Sequence, residues 1–225
     1  MNEIDHDKIS GLSVFRDCAQ DTLRRILEPS FLQEFPAGTR LIEQGRKAAF
    51  LFVLLDGSVE MISSTSNRVT TVEIINPVGL FILAAVLNDE PYLQSARTLV
   101  PSRLLMVPAT VVRSLMASDS AFMHSVVREL ATAYRRVVKE LRAVKLFSGT
   151  ERLALWVQEQ TSCQEISLFR LPFEKRTLAA YLGMTPENLS RAFSNLGEYG
   201  VKVNHHNIDV VDSRLLGEFC ASITR

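Results

Sequence analysis

Lys175-Arg176-Thr177-Leu178-Ala179-Ala180-Tyr181-Leu182-Gly183-Met184-Thr185-Pro186-Glu187-Asn188-Leu189-Ser190-Arg191-Ala192-Phe193-Ser194-Asn195-Leu196 is the stretch on which the fold turns. Leu178, Leu182, Leu189, Phe193 and Leu196 recur at helical spacing and give two short apolar faces. Ala179 is small where two helices must approach closely. Gly183 suits the left-handed residue that ends a helix, Thr185 suits an N-cap, and Pro186 suits the first helical position after it. So short a connection makes the helices cross steeply, as in a helix-turn-helix. Downstream, Gly200–Val203 and Ile208–Val211 flank Asn204-His205-His206-Asn207, a hairpin pattern that reads as the wing of a winged helix.

In such a motif the N-terminal part of the second helix enters the major groove of double-stranded DNA. Pro186, Glu187, Ser190 and Arg191 face outward there, with Asn188 beside them, and form the expected base-reading set. An arginine donates two hydrogen bonds to guanine O6 and N7, and a glutamate accepts from cytosine N4. Lys175, Arg176 and Thr185 are expected on phosphates, which position the protein without specifying sequence. Lys202 and the two wing histidines are expected on the backbone as well.

Upstream, Ser118 to Lys145 holds no Gly or Pro. Met123, Val127, Leu130, Tyr134, Val137, Leu141 and Val144 recur there at alternating steps of four and three, the a/d seam of a coiled coil. One long helix with one narrow apolar seam calls for a partner helix, so a homodimer is expected. Phe122, Val126 and Ala133 lie off the seam, where they can pack on the domain before it. Ser148-Gly149-Thr150-Glu151 breaks the helix and starts another over Arg152–Gln160. The expected division is a sensory domain at 1–117, a dimerisation helix and hinge at 118–147, and a DNA-binding domain at 148–225.

Residues 31–107 have a different texture. Thr39–Ile42, Ala49–Leu55, Ser58–Ser63, Thr70–Ile75 and Ser102–Val107 are short strand-like runs between turn residues such as Pro36-Ala37-Gly38, Asp56-Gly57 and Asn76-Pro77. Many short strands at close spacing predict a β-barrel or sandwich. Before them, Ile9, Leu12, Val14, Phe15, Leu23, Ile26 and Leu27 predict one helix over 8–28, ended by Pro29. Ile166–Leu171 is a further expected strand. No internal repeat is present.

Composition narrows the function. The 25 basic and 25 acidic side chains cancel overall. By segment, 1–109 carries 10 basic and 13 acidic, 110–145 carries 7 and 3, and 146–225 carries 8 and 9, so the positive excess sits in the seam helix. No run of eighteen apolar residues exists to span a bilayer, and the polar start Met1–Asp7 does not read as a signal peptide. Cys18, Cys163 and Cys220 are odd in number and widely spaced, which suits reduced thiols in a cytoplasm better than a disulfide framework. There is no Gly-x-Ser-x-Gly, Gly-Lys-Ser/Thr or His-Glu-x-x-His, and a binding protein is expected rather than an enzyme.

With these marks in place the chain resembles the Crp/Fnr superfamily of bacterial regulators along nearly its full length. Phe35-Pro36-Ala37-Gly38-Thr39-Arg40-Leu41-Ile42-Glu43-Gln44-Gly45 and Phe52-Val53-Leu54-Leu55-Asp56-Gly57-Ser58-Val59 look like the family's early β-roll signature. Glu187-Asn188-Leu189-Ser190-Arg191 looks like the Fnr-type Glu-x-x-Ser-Arg. The resemblance implies an α+β fold: a cyclic-nucleotide-binding-like β-roll, a long dimerisation helix and a C-terminal winged helix-turn-helix. It also implies TTGAT-like half-sites in a palindrome, and RNA polymerase as a partner.

The same resemblance directs attention to an effector pocket at Gly79, Leu80, Phe81, Leu83, Gln94, Ser95 and Arg97. The cyclic-nucleotide type has a Gly-Glu pair and a later Arg that grip ribose and phosphate. Here Gly79 leads into Leu80-Phe81-Ile82-Leu83, and Gln94 stands where the Arg is expected, so a phosphate would lack its ion partner. Arg97 is the nearest cation that could replace it. Cys18 alone in the sensory half excludes a four-thiolate iron–sulfur cluster within one chain. The apolar run Leu80–Leu87 suits either plain core or a haem of the kind carried by nitric-oxide-responsive relatives, with His124, His6 or Cys18 as axial ligand. Control without a ligand, or through oxidation of Cys163 or Cys220, is the alternative reading, and cyclic-nucleotide control is another.

Overall fold

The computed structural model describes residues 3–164 and 167–224. The side chains of 3–6, 163, 164 and 224 lie outside that description, and with them His6 and Cys163. The chain divides into two compact units, Met1–Arg136 and Val137–Arg225.

The first unit opens with α1 (Glu3–Ser10) and α2 (Gln20–Leu27). The single helix expected over 8–28 is therefore two. Gly11, a poor helix former, begins a run of tight turns in which Leu12, Phe15 and Cys18 amides bond to carbonyls three residues back. Those turns bury Val14 and Phe15.

Next come β1 (Phe31–Phe35), β2 (Arg40–Ile42), β3 (Phe50–Asp56), β4 (Val59–Ser64), β5 (Val69–Ile75), β6 (Gly79–Phe81), α3 (Leu83–Asn88), β7 (Ser95–Thr98), β8 (Ser102–Pro108) and α4 (Ala109–Ser118). They form two four-stranded antiparallel sheets, ordered β1-β8-β3-β6 and β2-β7-β4-β5. Leu51 to Leu55 are all buried, so β3 is covered on both faces, as a near-continuous apolar strand must be. Gly57 turns β3 into β4 at φ +98°, and a Cβ there would lie 2.3 Å from Ser102 Oγ, so only glycine fits. Five strands fall where the sequence placed them. β1, β6, β7, α3 and α4 were not foreseen, because β6 and β7 are only three and four residues long and α3 only six.

α5 (Ser120–Leu146) begins two residues later than the sequence suggested. Asp119 is the reason: its carboxylate accepts from the Phe122 amide at 3.0 Å and from the Thr22 hydroxyl, capping the helix from outside. Phe122, Ser125 and Val126 are buried in the roll, and Phe122 stacks on Phe15 with centroids 6.4 Å apart. Ala133 is half-buried.

The second unit contains the C-terminal part of α5, then α6 (Gly149–Gln164), β9 (Leu168–Arg170), α7 (Lys175–Tyr181), α8 (Pro186–Leu196), β10 (Val201–Asn204), β11 (Asn207–Val210) and α9 (Ser213–Thr224). β9 is shorter than the expected Ile166–Leu171, of which residue 166 lies outside the described residues. It pairs with β11 through Ile208 and Phe169, making a three-stranded sheet with the β10–β11 hairpin. Leu153, Ala154, Val157, Leu178, Leu189 and Leu196 are fully buried between the helices.

Candidate nucleic-acid interface

The turn between α7 and α8 forms as its residues dictate. Gly183 takes φ +66°, the Met184 amide bonds to Ala179 O at 2.9 Å, and the Gly183 amide bonds to Ala180 O at 3.0 Å. This pair of bonds satisfies the last carbonyls of α7. Thr185 is the N-cap of α8: its side-chain oxygen accepts from the Asn188 amide at 3.3 Å, and Pro186 follows at the first helical position. Leu189, Ala192, Phe193 and Leu196 face inward.

The opposite face is open. Pro186, Glu187, Asn188, Ser190 and Arg191 are all exposed at the start of α8. Glu187 and Arg191 stand one helical turn apart on that face. The Thr185 hydroxyl and a backbone amide hold the Glu187 carboxyl below its ordinary range, and Arg191 adds to this. Glu187 is therefore an ionised acceptor beside an arginine donor, chemistry that suits a C·G step next to a guanine.

The expected phosphate contacts are more scattered. Arg176 is exposed and paired with Glu174 at 3.0 Å, so a phosphate would have to compete for it. Lys175 lies with Nζ 5.4 Å from the Phe193 ring centroid. Lys202 is exposed on β10, and His205 turns the wing at φ +51°. His206 uses its carbonyl to accept from the Leu171 amide at 2.8 Å, which ties the wing back to the domain.

Comparison with known proteins gives the architecture its family. Residues 32–119 match the model of the cyclic nucleotide-binding domain, and residues 151–219 match that of the Crp-like helix-turn-helix domain. A candidate transcriptional regulator of the Crp/Fnr family from Eubacterium rectale ATCC 33656 superposes with a TM-score of 0.74. It is 17% identical, with 93% of this chain and 98% of that one covered. The chain belongs to the Crp/Fnr family. A similar fold is found in FixK2 from Bradyrhizobium japonicum, at 17% identity and TM-score 0.75 over 84% of this chain and 96% of that one. A protein of Silicibacter pomeroyi DSS-3, described as a candidate cAMP-binding regulatory protein, is 27% identical at TM-score 0.71, with 97% and 99% covered. Comparison with curated protein sequences gives no match. This Crp/Fnr regulator thus carries a cyclic nucleotide-binding-type domain and a DNA-binding domain in one chain.

The effector side of this Crp/Fnr roll departs from the pocket the sequence outlined. Phe81 and Leu83 are buried, and Phe81 stacks on Phe52 at 5.3 Å between centroids, so the apolar run contributes to the core. Gly79, Leu80, Gln94 and Ser95 are half-buried, and Ser95 Oγ accepts from the Gln44 amide at 3.0 Å. Arg97 is already paired through Nε. Its Nε lies 2.7 Å from the carboxylate of Glu60, which is 3% exposed and also accepts from the Thr71 hydroxyl. Releasing Arg97 to a phosphate would strand a buried carboxylate. Nothing in the local pattern around Glu60 announced this pair: it joins residues 37 positions apart in the chain.

A haem fits no better. His124 is exposed on α5, and Phe81 and Leu83 have their places in the core. Burial pushes the Cys18 thiol up to about 11, with the nearby Asp119 and Asp17 carboxylates adding to the rise. Without a metal such a thiol stays protonated at neutral pH. Cys220 is buried in α9 and its thiol is likewise pushed up to about 11, which works against its expected role as an oxidation switch. Among the described residues no group of three or more His, Cys, Asp or Glu is placed to hold a metal, and no helix is long and apolar enough to cross a membrane.

Proposed function

We propose that this regulator binds TTGAT-like palindromes as a homodimer, with Glu187, Ser190 and Arg191 reading bases and Pro186 and Asn188 against the groove wall. The observation that carries the reading is the exposed acid–base pair on the first turns of α8, built on a correctly capped helix. Lys175, Arg176, Thr185 and Lys202 contact phosphates. The α5 seam supplies the dimer: Met123, Val127, Tyr134, Val137, Leu141 and Val144 are between 38% and 70% exposed along one helix. Leu130 is only half-buried and packs on the roll core, so it serves both surfaces.

The functional division follows the seam: a sensory roll at 1–117, a dimerisation helix and hinge at 118–147, and a DNA-binding domain at 148–225. RNA polymerase is the partner through which bound protein acts, in the cytoplasm that holds the DNA. The Glu60–Arg97 pair favours DNA binding that does not require cyclic AMP. The likeness to the Silicibacter pomeroyi protein supports the opposite, and one titration separates them.

Fluorescence anisotropy with a TTGAT palindrome and a scrambled duplex tests the whole reading. The bare protein is expected to prefer the palindrome. Arg191→Ala is expected to lose about 1–3 kcal/mol of that preference while keeping non-specific affinity. Retained preference in Arg191→Ala would remove the base-reading assignment. A rise of about tenfold in palindrome affinity on adding cyclic AMP, equivalent to about 1.4 kcal/mol, would restore nucleotide control.

A further inference from the structure

Arg152 sits on the first turn of α6, three residues after Gly149 begins it, and its guanidinium bonds to three separate main-chain groups. Nη1 donates to Phe147 O at 2.6 Å, Nε donates to Leu182 O at 2.8 Å, and Nη2 reaches Gly183 O at 3.4 Å. All three partners are main-chain carbonyls. Phe147 directly follows the last residue of α5, and its amide still bonds to Ala143 O at 3.0 Å. Leu182 and Gly183 are the turn of the helix-turn-helix. One planar, fork-shaped cation therefore joins the last turn of α5 to the turn that sets the angle of α8. A cation at the C-terminal ends of two helices is favoured by their exposed carbonyls. A lysine cannot reproduce the geometry, because its single ammonium cannot span three separated acceptors.

The surrounding contacts join the same parts. The α6 start is held by a reciprocal capping box in which the Ser148 amide donates to Glu151 at 2.6 Å and the Glu151 amide donates to Ser148 Oγ at 3.3 Å. A Cβ on Gly149 would meet Met184 Cε at 3.3 Å, so the hinge packs directly on the turn. Asn195 Nδ2 donates to Thr150 Oγ1 at 3.4 Å and ties the far end of α8 to the same segment.

We propose that Arg152 is a positioning residue that fixes the recognition helix relative to the end of the dimerisation helix, and so sets the half-site spacing the dimer accepts. The inference rests on the reading of α5 as the dimer seam and α8 as the base reader. In a dimer the two recognition helices must meet major grooves about 34–36 Å apart. The seam defines the two-fold axis. The Arg152 clamp determines how faithfully each α8 keeps its angle to that axis. Without the clamp each half-site is still read, but binding both at once requires ordering that the protein no longer supplies in advance.

Full-length wild type, Arg152→Gln and Arg152→Lys are compared by anisotropy on a single half-site, on the palindrome, and on palindromes with one base pair added to or removed from the spacer. Circular-dichroism melts and sedimentation accompany the titrations. Arg152→Gln is expected to change half-site affinity less than about twofold, to lose about tenfold on the palindrome, and to flatten its preference among spacers. Arg152→Lys keeps the charge beside the carbonyls and is expected to fall between; it carries the comparison if the Gln variant melts early. Equal losses on half-site and palindrome, tracking a lower Tm, would make Arg152 a fold-stabilising residue only and overturn the proposal. An unchanged spacer profile overturns it too while leaving the dimer reading intact. A wild type with no spacer preference overturns the dimer reading and this proposal with it.

Discussion

Replacing Leu141 by Asp tests the seam where the effect on the protomer is smallest. Leu141 is 54% exposed in the chain alone, and the residues beside it on the seam, Val137 and Val144, are 57% and 56% exposed. Full burial of a leucine is worth about 1.5–3 kcal/mol. Covering the exposed half in a dimer thus contributes about 1 kcal/mol per chain, and about 2 kcal/mol for the two copies that face each other. Aspartate removes that gain and places two like charges in the seam, at about 1–2 kcal/mol each even with partial access to water. The sum, about 4–6 kcal/mol, corresponds to a dimer dissociation constant raised by about 10³–10⁴. The protomer itself should lose no more than about 0.5 kcal/mol, as for other exposed positions. Leu130→Asp is a poorer probe, since Leu130 also packs on the roll core and its loss would unfold as well as dissociate. Analytical ultracentrifugation reads the dimer, a thermal melt reads the fold, and anisotropy reads the loss of palindrome binding. A stable dimer of Leu141→Asp with unchanged palindrome affinity would refute the seam.

Two further perturbations follow from local geometry. Thr185→Ala removes the oxygen that caps α8, which should cost about 1 kcal/mol and, in a unit of this size, lower its Tm by about 4–8 °C. The same change should let the Glu187 carboxyl titrate closer to its ordinary 4.5, visible by NMR; an unmoved Glu187 would show that the Thr185 hydroxyl does not hold it. Glu73 on β5 pairs with Arg136 on α5 at 2.7 Å, yet burial raises its pKa above the ordinary 4.5, outweighing the arginine. A carboxyl raised in the folded state contributes stability that is fully present below its unfolded pKa and lost as pH rises through the folded value. Glu73→Gln should therefore be more stable than wild type at neutral pH, with a gap that narrows on acidification as the carboxyl takes up its proton. A gap that is constant with pH, or that widens in acid, would contradict burial as the dominant cause.

The parts that were legible in the sequence are those that local rules specify. Gly183, Thr185 and Pro186 announced the helix-turn-helix because a left-handed stop, an N-cap and an N1 proline depend on the residues themselves. The long helix α5 was legible because one period repeats over many turns, and β3, β4, β5 and β8 because their apolar runs are bounded by turns. The strands β6 and β7 escaped notice: at three and four residues they show too little pattern, and pairing with β3 and β4 creates them. The single helix expected over 8–28 failed at Gly11, where burying Val14 and Phe15 in the roll outweighed continuation of the helix.

Sequence alone therefore determined the order of the parts and the face of α8 that meets solvent. Tertiary structure decided which charges are available. Arg97 looked free to hold a phosphate until folding set Glu60 opposite it across β4 and β7. Cys220 looked open to oxidation until burial raised its thiol. Arg152 carries no mark in the sequence; its role arises because the turn at Leu182 and Gly183 comes within its reach from thirty residues away. Each of these outcomes depends on distance and desolvation between groups remote in the chain, quantities that no local pattern encodes.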